Sequence, residues 1–125
     1  MATLRLGAIS FDCADPTPLG AFWATLLGGE VIVTRDDLSV VKLPDGLLLT
    51  AMRVDDHQPP TWPSGLLPKQ AHVDVAVDDL VGAEQRALAL GATRAAIQPD
   101  PPSHTVMVDP AGHPFCLSKA ENFPT

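Results

Sequence analysis

Residues 4–34, LRLGAISFDCADPTPLGAFWATLLGGEVIVT, decide the fold. The opening LRLGAISFDC, residues 4–13, reads as a strand. Asp15 ahead of Pro16 marks a helix start, an N-cap residue followed by a proline whose missing N–H costs nothing in a first turn. Leu19, Phe22, Trp23, Leu26 and Leu27 recur at i, i+3, i+4, i+7 and i+8, which lines one face of a helix, and Gly28-Gly29 stop it. A second strand begins at once, Glu30 to Thr34. Two further extended segments, Leu38 to Leu43 and Leu47 to Val54, follow turns at Arg35-Asp36-Asp37 and Pro44-Asp45-Gly46. Residues 4–54 therefore form one βαβββ unit.

Beyond it the period is lost. HQPPTWPSGLLP, residues 57–68, holds four prolines, and 55–69 reads as a stiff surface connection. The pattern then starts again. QAHVDVAV, residues 70–77, alternates as a strand does, and Asp78 or Asp79 caps a helix carrying Leu80, Ala83, Ala87 and Leu90 that Gly91 ends. Strands follow near Thr93 to Gln98, Thr105 to Val108 and Pro114 to Lys119, with a Pro-Ala-Gly turn at 110–112. The strand-helix junctions Asp15 and Asp79 differ by 64, the helix-end glycines Gly28 and Gly91 by 63, and the turn prolines Pro44 and Pro110 by 66. Such near-constant spacing argues that module two, 70–119, is a diverged copy of module one, 4–54, within a single domain spanning 1–125.

Composition limits the function. With 46% hydrophobic and 18% charged residues the chain can bury a core. Its net charge of −7, with eight Lys and Arg that never cluster, argues against a nucleic-acid partner. Met1 to Phe11 lacks the basic and apolar regions of an export signal, and no stretch approaches the length of a membrane span, so a soluble cytoplasmic protein without a membrane partner is expected. Cys13 and Cys116, far apart and outside any CxxC, are expected as reduced thiols. A Ser/His/Asp nucleophile motif, a phosphate loop and an HExxH helix are all lacking.

Three segments carry a likeness to a known family: FWATLLGGEV at 22–31, AHVDVAVDDL at 71–80 and VDPAGHPFCLS at 108–118. In their order and spacing the chain resembles the vicinal oxygen chelate superfamily, the glyoxalase-like and bleomycin resistance proteins. The resemblance implies an α+β fold in which two βαβββ modules form a curved mixed sheet around a cavity, and it implies a homodimer. Members include lyases, isomerases, dioxygenases, epimerases and proteins that only bind drugs, so fold alone does not give function.

The resemblance also implies where a metal would sit, at the positions of Ala8, Thr50, His72 and Cys116. Of these only His72 is a usual ligand of the family. Ala8 offers no donor and Thr50 only a neutral hydroxyl, so the inherited metal site reads as dismantled and no cofactor is expected. The alternative is a rebuilt zinc site of His72, Cys116 and a nearby carboxylate that sequence does not identify. Cys116 otherwise reads as a small core residue.

Alternation along strands extends the cavity lining. In phase with those positions lie Ala8, Ser10 and Asp12 on the first strand and His72, Asp74 and Ala76 on the fifth. Ile9, Phe11, Val73, Val75 and Val77 face the helices. The last strand of each module adds Leu48, Thr50 and Met52, then Pro114, Cys116 and Ser118. Trp62 either folds over the opening to stack on a planar ligand or pins the connection onto the domain, whereas Trp23 belongs to the core. His104 and His113 read as surface residues near turns. His72, Asp12 and Asp74 are the candidate acid-base residues, although His72 and Asp74 sit about 7 Å apart along a strand, too far to assume direct contact. The expected function is metal-independent binding of a small planar or aromatic molecule, of the resistance or sequestration type. The alternative is a lyase, isomerase or dioxygenase that uses a rebuilt metal site or a His/Asp base.

Overall fold

A computed structural model describes residues 4–63, 66–68 and 71–123. The helical stripe folds as α1 (Pro16–Leu27), preceded by β1 (Ala8–Cys13) and followed by β2 (Glu30–Arg35), β3 (Leu38–Lys42) and β4 (Leu48–Arg53). The four strands make one sheet in the order β1-β4-β3-β2, with β1 parallel to β4 and the remaining neighbours antiparallel. Leu19, Phe22 and Trp23 are buried under α1 as the stripe requires. Trp23 stacks on Phe11 of β1 at a centroid distance of 6.0 Å and meets Phe22 edge-on at 5.1 Å. Gly20 lets the helix approach the sheet, because a Cβ there would collide with the buried Ser39 side chain on β3.

The second unit repeats the plan. It comprises β5 (Val73–Val77), α2 (Leu80–Ala89), β6 (Thr93–Arg94), β7 (His104–Val108) and β8 (Pro114–Lys119), then a short 3-10 turn at Ala120–Asn122. Its sheet order is β5-β8-β7-β6, with β5 parallel to β8, which is the first sheet strand for strand. The chain divides into compact units Met1–His57 and Gln58–Thr125, so Pro59 and Trp62 of the proline-rich connection belong to the second. Pro59 lies against Gly112, whose φ of 95° and lack of a side chain both fit that close approach. Gln70, with which the fifth strand is predicted to start, lies outside the described residues, as do Ser64, Gly65 and Lys69 in the connection.

Three expectations are corrected. Asp15 and Asp79 occupy the N-cap positions with extended backbone, yet neither carboxylate makes a capping hydrogen bond. At α1 the proline at its first turn and the backbone conformation set the start. The strand predicted over Thr93 to Gln98 stops at Arg94, because the Gln98 side chain takes over its pairing. Its amide donates to the carbonyls of Ala95 at 2.8 Å and Val106 at 2.7 Å, while its oxygen accepts the Val106 N–H at 2.8 Å. Finally, His113 is not a surface histidine: its Nδ1 lies 3.1 Å from Oδ2 of Asp109, a fully buried carboxylate whose Oδ1 accepts the N–H groups of Ala111 and His113.

Candidate functional site

β5 and β8 run side by side in parallel, so residues paired in register present their side chains to the same face of the sheet. Asp74 pairs with Cys116 and Ala76 with Ser118, and on the far side of β8 Cys116 pairs with Val106 and Ser118 with His104. His72 stands one residue before β5, ahead of the regular strand. The resulting cluster joins three donor types, an imidazole, a carboxylate and a thiol. The donor atoms of His72, Asp74 and Cys116 all lie within 4.8 Å of one another. The His72 and Asp74 side chains are 35% and 46% exposed, whereas Cys116 is 5% exposed. The thiol thus forms the floor of a site whose other two members reach solvent.

Nε2 of His72 lies 3.3 Å from Oδ1 of Asp74, a direct approach that spacing along the strand did not allow to be assumed. Both side chains project from one face, and the long imidazole closes the gap that backbone spacing leaves.

Around this cluster Ala95, Val106 and Cys116 form an apolar group against which Val108 and Trp62 pack. The indole N–H of Trp62 donates to the carbonyl of Ile97 at 3.0 Å. Trp62 therefore fastens the connection to its own unit, and its half-buried ring remains at the edge of this face. Ser118 is nearly buried, and Pro114 is buried. Sequence reasoning did not select Val106 or His104, although the alternation His104, Val106, Val108 along β7 places both on the face of Cys116 and Ser118. His104 accordingly is half-buried at the strand start, with Nδ1 2.8 Å from the Ser103 hydroxyl.

The first unit carries the other predicted residues. Ala8 pairs with Leu48, Ser10 with Thr50 and Asp12 with Met52, so the six share one face of the β1-β4 pair. Ala8, Ser10, Asp12 and Met52 are exposed and Leu48 and Thr50 half-buried, while Leu49 and Ala51 of the opposite face are buried. No group of three or more metal-ligating side chains other than His72, Asp74 and Cys116 occurs among the described residues. Of the four positions at which the resemblance would put a metal, Ala8 and Thr50 do not fit one. The donor chemistry present fits a three-ligand set of His72, Asp74 and Cys116, in which Asp74 supplies the carboxylate.

The family model described as a glyoxalase-like domain matches residues 8–118. No curated protein sequence matches the chain. Among solved structures, a possible glyoxalase from Bacillus cereus superposes with a TM-score of 0.68 at 18% identity, covering 93% of this chain and 99% of that one. A glyoxalase/bleomycin resistance protein/dioxygenase family enzyme from Burkholderia phytofirmans gives a TM-score of 0.69 at 12% identity, with coverages of 94% and 99%. The trypanothione-dependent glyoxalase I of Leishmania major gives 0.62 at 17% identity, covering 96% and 89%. At such identities the likeness establishes the fold. Among the described residues no helix is long and apolar enough to cross a membrane.

Proposed function

The chain belongs to the glyoxalase-like domain family, in the vicinal oxygen chelate superfamily, and on that premise we propose that it binds a small molecule on the sheet face that carries His72, Asp74 and Cys116. The observation that carries this reading is the make-up of that face. An apolar floor of Val106 and Cys116, with the Trp62 ring beside it, adjoins two polar side chains that stay open to solvent. Small-molecule sites combine such a largely apolar lining with a few convergent polar groups. Trp62 offers a planar surface, so a planar or aromatic ligand is favoured, held by stacking and oriented by His72 and Asp74. The equivalent face of the first unit, with Ala8, Ser10, Asp12, Leu48, Thr50 and Met52, is the second candidate surface, and Ser118 contributes little because it is nearly buried.

An enzymatic reading draws on the same cluster. A histidine within reach of a carboxylate is an arrangement used in proton transfer, and His72 with Asp74 is therefore favoured over Asp12. Thermal-shift screening of the chelator-treated chain against panels of aromatic metabolites and antibiotics tests the binding reading. We expect stabilisation by at least one compound, reduced in His72→Ala and in Trp62→Ala. Failure of every compound to stabilise the protein, or stabilisation in both variants as large as in the parent, would sink it.

A further inference from the structure

The donor set on the second unit goes further than a polar anchor, and we propose that His72 Nε2, a carboxylate oxygen of Asp74 and Cys116 Sγ together bind a borderline-soft divalent cation of the zinc class. The argument is one of spacing and of chemistry. Zinc bonds of about 2.0 Å to nitrogen or oxygen and about 2.3 Å to sulfur, at tetrahedral angles, put neighbouring ligand atoms roughly 3.3–3.5 Å apart. Nε2 of His72 and Oδ1 of Asp74 are already 3.3 Å apart, and no pair among the three donors exceeds 4.8 Å. The same 3.3 Å is slightly longer than the ~2.7–3.2 Å an N–H···O hydrogen bond prefers. Closing the widest pair needs a shift of about 1.5 Å at most, which the partly exposed His72 and Asp74 side chains can supply by turning about their own bonds, while buried Cys116 is the fixed point.

Ligand type selects the ion. A thiolate with an imidazole suits zinc and its d-block neighbours and gives calcium or magnesium, which require oxygen donors, little to bind. Three protein donors leave a coordination position open, and the exposure of His72 and Asp74 leaves that position facing solvent. The set lies wholly within one unit and includes Asp74, so it is not the inherited four-position arrangement: Ala8 and Thr50 contribute nothing to it. Asp74 is the nearby carboxylate that a rebuilt site of His72 and Cys116 requires. The inference concerns the same face as the proposed small-molecule site but does not require that a small molecule bind there.

The test uses the full-length, untagged chain, stripped with chelator and titrated with Zn²⁺ in competition with a chromogenic chelator, then with Co²⁺ as a spectroscopic stand-in. We expect one equivalent of zinc and, for cobalt, a thiolate-to-metal absorption band in the near ultraviolet. Cys116→Ser should abolish that band, and His72→Ala and Asp74→Asn should each weaken zinc binding by about tenfold or more, with circular dichroism unchanged. Magnesium and calcium should not compete. His72→Ala and Asp74→Asn alter exposed side chains, so they keep the test intact if Cys116→Ser folds poorly. Absence of zinc binding at micromolar protein, a cobalt complex without the thiolate band, or zinc affinity unchanged in His72→Ala would each overturn the proposal. Running the compound screen on both stripped and zinc-loaded protein separates the two readings: zinc binding without any ligand hit removes the small-molecule reading alone, and a ligand hit without zinc binding removes this one.

Discussion

The two units share a blueprint and differ in what they place on it. In the first, Ser10 pairs with Thr50 across parallel strands, and in the second Asp74 pairs with Cys116 at the same place in the same sheet order. The turns correspond to the atom. Leu43 N–H bonds the Leu47 carbonyl and Gly46 N–H bonds the Leu43 carbonyl, each at 2.9 Å, just as Asp109 N–H bonds the His113 carbonyl and Gly112 N–H the Asp109 carbonyl at 2.9 Å. The helices do not correspond in weight. α1 buries Leu19, Phe22 and Trp23, whereas Ala87 is the residue α2 buries. The two units keep the same backbone plan while one carries the heavier helix core and the other carries the donor side chains. Backbone hydrogen bonding is indifferent to side-chain identity, so the scaffold persists while its two faces diverge.

That contrast can be broken at several points. The largest effect is expected under α1: Trp23→Ala should cost about 3–5 kcal/mol in urea unfolding, as large aromatic truncations in cores do. Leu90→Ala at the end of α2, half-buried, should cost only about 1 kcal/mol, part of the ~1.5–3 kcal/mol of a fully buried leucine. Equal losses at the two sites would dissolve the distinction between a heavy and a light helix.

The paired turn glycines sharpen it next. Gly46 and Gly112 have φ of 94° and 95°, so alanine strains both. A Cβ at Gly46 meets open space, whereas at Gly112 it strikes Pro59. Gly46→Ala should therefore cost about 1 kcal/mol and Gly112→Ala about 3 kcal/mol, the two ends of the range for a strained non-glycine residue. Comparable thermal shifts in the two variants would show that Pro59 yields freely.

Gln98→Ala probes a device of the second unit, where a side chain replaces strand pairing along β7. Leaving the Val106 N–H and carbonyl without those partners should cost about 1–3 kcal/mol, measurable by urea unfolding and by faster amide exchange at Val106. The smallest change in stability is expected at the paired face positions: Ser10→Ala and Asp74→Ala, both exposed, should stay within about 0.5 kcal/mol of the parent. Only Asp74→Ala should diminish ligand or zinc binding at the second face, and equal binding in both would remove the functional asymmetry between the copies.

Much of this was legible in the chain itself. The i, i+3, i+4 stripe of α1, the alternation of β5, the Pro-x-Gly turns and their near-constant offsets fixed the element order and its repetition, because each depends on local period and on residues such as glycine and proline that restrict the backbone locally. Alternation also assigned Asp74 and Cys116 to one face, since side-chain direction in a strand follows from sequence position alone. What sequence could not supply was anything set by side chains that meet across strands. Cys116 meeting Asp74 from the neighbouring strand and the Gln98 amide pairing with β7 are of that kind, while the 3.3 Å approach of His72 to Asp74 and the contact of buried Asp109 with His113 join residues near in sequence and depend on rotamers that spacing does not give. The same holds for Trp62, which sequence left between two roles and which tertiary packing ties to Ile97 and the Cys116 cluster. Local periodicity determined which residues share a face. Only the folded chain decided which of them touch, because contact needs the register between strands and the reach of each side chain, and neither is encoded within a single segment.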